Sequence, residues 1–339
     1  MSALFELTLQ CNMRCIHCGS SAGVRRTTEL STEEWIQITR ELSDMNCHLV
    51  GLLGGEPFIR KDWYTISQAI KDYGMDLSIM SNGALINDTL LSILRKLDPY
   101  NVVVSIDGGT AETHDFIRQT SGSFEQCKQA LSLLINAGIS TSVITTVNKK
   151  NLTELPLLRS LLINRGIAWQ IQLAVPIGRF PRELLLSPEE FYAVALFIAT
   201  TRQRYTTKEL PLTGAHCIGY NSTIMPSLTL LPIWTGCPAG VTTVGIQSDG
   251  GIKGCLSLPD EFIEGNIRQR SVSELWNDPA VFSYNRRFKK DSLSNNCRAC
   301  KYGKTCRGGC LSVSTSVTGK PHSDPYCLYL LEKNKIGFG

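Results

Sequence analysis

Two features are scarce in this chain of 339 residues: long apolar runs and net charge. No uninterrupted hydrophobic stretch approaches the roughly eighteen residues a membrane helix needs, and no charged-then-apolar leader precedes Leu4, so the expectation is a soluble cytoplasmic protein without a membrane partner. A net charge of +4 is slight for this length. The densest basic run, Arg286-Arg287-Phe288-Lys289-Lys290, reads as a solvated helix face, so no nucleic-acid partner is expected. A disulfide framework is also disfavoured. The thirteen cysteines are odd in number, and cytosolic thiols are kept reduced.

Cysteine is what the chain has in quantity, and it is patterned. Three cysteines form Cys11-Asn12-Met13-Arg14-Cys15-Ile16-His17-Cys18, and seven more lie between Cys237 and Cys327. Ligation of metal or of a cluster explains such grouping better than core packing does. Cys47 and Cys127, in contrast, read as ordinary small buried hydrophobes. Three thiols on one short loop can hold three corners of a cubic iron–sulfur cluster and leave the fourth iron open to a small molecule. The competing reading is a zinc knuckle, for which the fourth ligand would be His17, awkwardly placed between two of the cysteines.

From residue 4 to about 173, short β-branched runs alternate with stretches of helical period, the mark of a parallel sheet with crossover helices. Strands are expected at 4–9, 49–53, 77–80, 102–106, 141–147 and 169–173, and helices at 32–44, 63–73, 88–97, 124–137 and 152–164. Ser31 and Glu34 form a capping-box pattern at the start of the first helix, and a further helix is expected at 188–205 behind Ser187. Six such units in about 170 residues suit an α/β partial (β/α)6 TIM-like barrel rather than the closed eight-unit form of about 250. Chemistry then belongs in the loops at the carboxyl ends of the strands. Those loops carry Gly54-Gly55-Glu56-Pro57, Ser81-Asn82-Gly83 and Ser105-Ile106-Asp107-Gly108. The stretch 210–234, rich in Pro, Gly and Thr, reads as loops and short hairpins. The expected division is therefore 1–205, a bridge at 206–235, and 236–339.

The CxxxCxxC run followed one strand later by Gly54-Gly55-Glu56-Pro57 resembles the radical S-adenosylmethionine (SAM) superfamily. That resemblance implies a four-iron cluster on Cys11, Cys15 and Cys18, with SAM on its open iron and cleaved to a 5′-deoxyadenosyl radical. It further implies that Gly54, Gly55, Glu56 and Pro57 hold the SAM amino group, that Ser105 and Asn82 contact SAM, and that Arg118 orients its carboxylate. An ordinary surface arginine is the alternative for Arg118, and His114 reads as structural.

The second set, Cys237, Gly250 through Cys255, then Cys297, Cys300, Cys306, Cys310 and Cys327, is similar to the cysteine-rich SPASM extension of that superfamily, which carries two auxiliary four-iron clusters. By resemblance Cys297, Cys300, Cys306 and Cys327 hold the distal cluster and Cys237, Cys255 and Cys310 the nearer one, giving three [4Fe-4S] clusters and SAM as cofactors. Eight thiolates are needed for two fully ligated auxiliary clusters, and the pattern supplies seven. Cys217 is the candidate eighth ligand; the alternatives are a nearer cluster with an open iron that binds substrate, and Cys217 as a hydrogen-atom donor or a merely buried thiol. In sulfatase-maturing relatives an acid follows the cysteine of the GxxxxC element, whereas Leu256 stands here, which disfavours formylglycine chemistry. Asp260 is the nearest acid downstream.

The resemblance implies an oxidoreductase or maturase acting on a precursor peptide, with a crosslink or an epimerised centre as product and a flavodoxin- or ferredoxin-type electron donor. No leader-binding domain is visible ahead of the first strand, so a separate leader-binding protein is an expected partner. The alternative is a maturase acting on tetrapyrrole side chains, or a small-alcohol dehydrogenase of the same superfamily. Anaerobic reconstitution is expected to give about twelve irons per chain, falling to about eight when Cys11, Cys15 and Cys18 are all alanine, at four per cluster. Zinc in place of that iron would overturn the reading.

Overall fold

The computed structural model describes residues 1–230 and 233–335. Leu231 and Pro232, within the stretch read as loops, and residues 336–339 of the C-terminal part lie outside the described residues. Six strand–helix units open the chain. They run β1 (Ser2–Thr8), α1 (Thr32–Asp44), β2 (Leu49–Gly54), α2 (Trp63–Asp72), β3 (Asp76–Ser81), α3 (Asp88–Leu97), β4 (Asn101–Ser105), α4 (Ala111–Arg118), α5 (Ser123–Asn136), β5 (Thr141–Val147), α6 (Leu155–Leu162), β6 (Ala168–Leu173) and α7 (Pro188–Arg204). Adjacent strands from β1 to β6 pair in parallel, so each strand must return through a crossover, and the helices cover one face.

The chain's alternation decides which face is covered. Ala3, Phe5 and Leu7 of β1 are fully buried, and the Phe5 ring lies 4.6 Å from that of Trp35 on α1. On β5 and β6, Thr145 and Trp169 share the helix side, where the indole Nε1 donates to Thr145 Oγ1 at 2.9 Å and the Trp169 ring meets Phe197 of α7. The intervening residues face the other way. Ser31 caps α1, accepting from Glu34 N while Glu34 accepts from Ser31 N, and Ser187 does the same for α7 with Glu190.

Three elements depart from the sequence reading. Helix α4 escapes hydrophobic periodicity because two of its buried positions are polar, His114 and Arg118, leaving Ile117 as the apolar one. The segment expected as a helix over 152–164 starts as a 3-10 turn, Leu152–Glu154, and ends at Leu162, with Ile163 extended and Asn164 at φ 57°. The stretch 210–234 holds β7 (Leu212–Gly214), which pairs in parallel with β6 rather than folding into a hairpin.

The sheet does not end with the barrel units. β8 (Thr243–Ile246) pairs in parallel with the free side of β1, and β9 (Gly251–Lys253) and β10 (Gly265–Asn266) follow antiparallel, giving the order β10-β9-β8-β1-β2-β3-β4-β5-β6-β7. Short helices α8 (Val272–Asn277), α9 (Ser283–Arg286), α10 (Gly303–Cys306), α11 (Leu311–Thr318) and α12 (Leu328–Lys335) complete the C-terminal part. Further ties to α1 come from Arg268, which clasps Glu34, and from Val272 N, which donates to Glu41. No helix among the described residues is long and apolar enough to cross a membrane.

An unpaired edge on β1 would present a row of free donors and acceptors to other chains. A chain ended after residue 235 is therefore expected to unfold at lower urea than the full chain and to elute as aggregate in size-exclusion chromatography.

Candidate functional site

The loop carrying the first three cysteines leaves β1 and is closed on itself: Cys11 N donates to Gly23 O, and Gly23 N to Leu9 O. Glu29 pins its base, accepting from Thr8 Oγ1, Leu9 N and Arg26 N. Each of the three sulfurs faces an N–H donor. Met13 N reaches Cys11 Sγ at 3.4 Å, Ala22 N reaches Cys18 Sγ at 3.3 Å, and Arg118 Nη1 lies 3.8 Å from Cys15 Sγ. Such donors favour sulfur in the thiolate form that iron requires, so the loop fits a cluster. Without one, burial and the neighbouring thiols push the Cys11 and Cys15 thiols up. His17, the zinc reading's fourth ligand, turns its Nε2 to Asp107 Oδ2 at 2.9 Å instead.

Asp107 and Arg118 are the residues beneath this loop. Asp107, fully buried at the end of β4, pairs with Arg118 Nη2 at 2.5 Å and His17, and accepts from Thr146 N. Burial alone would raise its pKa; the charges of Arg118 and His17 hold it well below the usual carboxylate range. Arg118 is thus no surface side chain. His114 is buried and accepts from Asp107 N, and burial together with Arg118 lowers its pKa to about 4, as suits a structural imidazole. Cys127, also buried, is pushed up to about 12 chiefly by desolvation and is inert.

Gly54 and Gly55 serve a backbone approach within the protein. A Cβ on Gly54, whose φ is +125°, would sit 2.4 Å from Thr8 O, and one on Gly55 would sit 2.0 Å from Gln10 O. Gly55 N and Glu56 N donate to those same carbonyls, so the end of β2 is zipped to the start of the cysteine loop. Pro57 opens a 3-10 turn for which Glu56 is the cap. Glu56 is wholly buried, accepting from Ser81 Oγ and Asn82 N, at 3.0 and 2.8 Å, and from Phe58 N. Burial raises its pKa to about 7, and Oε2, which accepts from Asn82 N, keeps lone-pair capacity for a cation. Asn82 reaches Asn12 Oδ1 at 2.7 Å, below Cys11. Ser105 is half-buried at the end of β4.

Cys217 and the seven cysteines that follow it influence one another electrostatically in two sets of four. Cys237 and Cys310 share a hydrogen bond that raises the pKa of the second, and the charges of Cys237 on Cys255, and of Cys217 on Cys310, are felt as well. Cys217 responds to Cys255 in turn, and desolvation pushes it up to about 12. In the other quartet Cys297 feels Cys300, Cys306 feels both, and Cys327 feels Cys306 and Cys297. Between the quartets lies Asp324, which accepts from Tyr220 Oη at 2.6 Å and from Cys310 N. Leu173 N at the end of β6 donates to Cys217 Sγ, which links the barrel to the first quartet. Leu256 packs where a Cβ on Gly245 would fall, and Asp260 is engaged by Lys253 at 3.0 Å.

The face of the sheet away from the helices carries the polar side chains Glu6, Ser78, Asn101, Ser105, Ser142, Thr146, Gln170 and Gln172, interleaved in the same register with Leu4, Leu53, Met80, Val103 and Ile144. Asn101 donates to Ser142 Oγ, and Gln172 to Thr146 Oγ1. Of the cations near the open end, Arg26 pairs with Glu6 and Asp249, Arg60 with Asp62, Arg118 with Asp107 and Lys253 with Asp260, whereas Arg14 and Arg179 donate to backbone carbonyls of the cysteine loop. Sequence reasoning passed over His17 as a partner, Asp107, Tyr220 and Asp324. For Asp107 the available signal was an acid two residues beyond the end of a strand with an apolar centre, Val102-Val103-Val104.

A parallel sheet whose strand ends gather three loop thiols, followed by a C-terminal part with seven further patterned cysteines, is the arrangement of a class of iron–sulfur radical enzyme. Residues 5–162 match the Radical SAM superfamily, and residues 237–301 match SPASM, an iron–sulfur cluster-binding domain. The chain is 30% identical to the AdoMet-dependent heme synthase of Methanosarcina barkeri, over 96% of this chain and 95% of that protein. It is 28% identical to the mycofactocin maturase MftC of Mycolicibacterium smegmatis, over 98% and 85%. Its fold is that of Streptococcus suis SuiB bound to S-adenosylmethionine, at a TM-score of 0.75 and 17% identity, covering 97% of this chain and 76% of that one. anSMEcpe with bound AdoMet and a peptide gives 0.71 at 18%, over 96% and 93%. The chain belongs to the radical SAM superfamily and carries a SPASM domain; iron–sulfur clusters and SAM are its cofactors.

Glu56 makes the stability depend on pH. Its folded pKa of about 7 lies above the ordinary 4.5, so the stability it confers is complete below about 4.5 and is lost as pH rises through about 7. Thermal melts of the cofactor-free chain are expected to show that decline, and melts of Glu56→Gln to lack it.

Proposed function

We propose that this chain modifies a ribosomally made precursor peptide, forming a thioether, carbon–carbon or carbon–oxygen crosslink or an epimerised centre. Together, SAM and the cluster at Cys11, Cys15 and Cys18 supply, when bound, a 5′-deoxyadenosyl radical that removes a hydrogen atom from substrate. Gly54, Gly55, Glu56, Pro57, Asn82, Ser105 and Arg118 bind SAM in this reading. Cys217, Cys237, Cys255 and Cys310 hold the nearer auxiliary [4Fe-4S] cluster, and Cys297, Cys300, Cys306 and Cys327 the distal one, which makes three with the first. The electrostatic coupling of Cys217 to Cys255 and Cys310 supports ligation over hydrogen donation. The protein's own work is to hold substrate on the sheet face and exclude water.

The observation that carries the peptide assignment is the chemistry of that face. Side-chain amides and hydroxyls, Asn101, Ser142, Thr146, Gln170 and Gln172, match the donors and acceptors of a peptide backbone. A substrate bearing several carboxylates would call for unmatched cations; Arg26, Arg60, Arg118 and Lys253 are each ion-paired, and Arg179 is engaged by the backbone carbonyls of Cys15 and Ala22. A flavodoxin or ferredoxin is the expected reductant, and a separate protein the leader-binding partner. The second reading, a tetrapyrrole side-chain maturase, is favoured by the 30% identity to the heme synthase across 95% of its length.

The deciding experiment supplies SAM and reductant with either a precursor peptide encoded beside this chain's gene or an iron tetrapyrrole bearing propionates. A mass change in the peptide, with 5′-deoxyadenosine formed in step, is expected. Decarboxylation of the propionates with no change in the peptide would establish the second reading. Cys217→Ala is expected to alter the nearer cluster's EPR spectrum; an unchanged spectrum with lost product would mark a hydrogen donor.

A further inference from the structure

Arg118 is buried, and its guanidinium spans two groups: Nη2 pairs with Asp107 at 2.5 Å, and Nη1 lies 3.8 Å from Cys15 Sγ. Its position is over-determined. Asp107 also pairs with His17, one residue before Cys18, and accepts from Thr146 N, while Asp107 O accepts from Asn151 Nδ2 at 2.7 Å. The backbone joins in, since Ile16 N donates to Ile117 O at 2.9 Å, placing α4 directly against the cysteine loop. Met13 N and Ala22 N, which serve the other two sulfurs, are neutral peptide donors. Cys15 alone is offered a charged one.

We infer that Arg118, held by Asp107, sets the reduction potential of the N-terminal cluster through a charged hydrogen bond to the Cys15 sulfur. The inference rests on the assignment of Cys15 as a cluster ligand. The physics is that of any cluster: a donor aimed at a ligating sulfur stabilises the reduced state, which carries one more negative charge, and so raises the potential. Arg118 is a positioning and tuning residue in this role, and the role requires no SAM. It differs in that respect from orienting the SAM carboxylate.

The test uses the reconstituted full chain without SAM, poised against a fixed reductant, with the N-terminal cluster identified by the EPR signal that later responds to added SAM. A charged hydrogen bond contributes about 1.5–3 kcal/mol, so Arg118→Met is expected to lower the ratio of reduced to oxidised N-terminal cluster about tenfold or more, with the auxiliary signals unmoved. Arg118→Lys keeps the charge but cannot span both partners, and is expected to fall between the two. Should Arg118→Met fail to retain the cluster, the lysine variant carries the test. Wild-type ratios in whichever variants hold the cluster would overturn the inference. A wild-type chain with no SAM-responsive cluster would overturn the ligand assignment instead.

Discussion

The buried carboxylate of Asp107 is the junction on which the site depends. It sits where β4 ends, and draws together a strand terminus, the helix that follows it and the loop that bears the first three cysteines. A carboxylate taken out of water is tolerated only when its charge is matched, and here Arg118 and His17 face Oδ2 while Thr146 N donates to Oδ1. Removing one partner of such a pair costs about 3–5 kcal/mol because the other is left charged and dry. The arrangement therefore acts as a lock: the loop cannot shift relative to the sheet without breaking an ion pair. That rigidity is what a three-thiol cradle needs, since its geometry must exist before iron arrives.

A second constraint operates across the two halves. The extension supplies β8 to the open side of β1, and Glu6, on the inward face of β1, accepts from Ser248 beyond that strand. The C-terminal quartets are thus built onto the same sheet that carries the cysteine loop, with Cys217 bound to the backbone at the end of β6. Between the quartets, burial raises the pKa of Asp324 to about 7, while its oxygens are taken up by Tyr220, Cys310 N and Tyr326 N. The Tyr220 ring lies 4.7 Å from that of Trp234, whose indole donates to Cys306 O, so one small polar and aromatic cluster touches both sets of thiols.

Much of the barrel was legible because its strands are β-branched and its helices carry an apolar stripe. Thr141–Val147 and Thr32–Asp44 were read to the residue for that reason. Helix α4 was not, since burying His114 and Arg118 on its inner side erases the stripe that periodicity detects. Gly54 and Gly55 were legible as part of a motif; that the end of β2 comes against Thr8 and Gln10 was not, and the fold shows it. For Glu56 the fold adds Ser81, Asn82 and Phe58 as hydrogen-bond partners.

Cysteine spacing and hydrophobic alternation, both local properties, determined the class of protein, the alternating βα order and the identity of the thiols. Which thiols stand together, that Arg118 is buried against Cys15, and that β8 closes the side of β1 were decided only by tertiary structure. The physical reason is distance along the chain: Cys15 and Arg118, or Cys217 and Cys310, are joined by electrostatics and packing between residues roughly a hundred apart, and no local pattern encodes such a meeting.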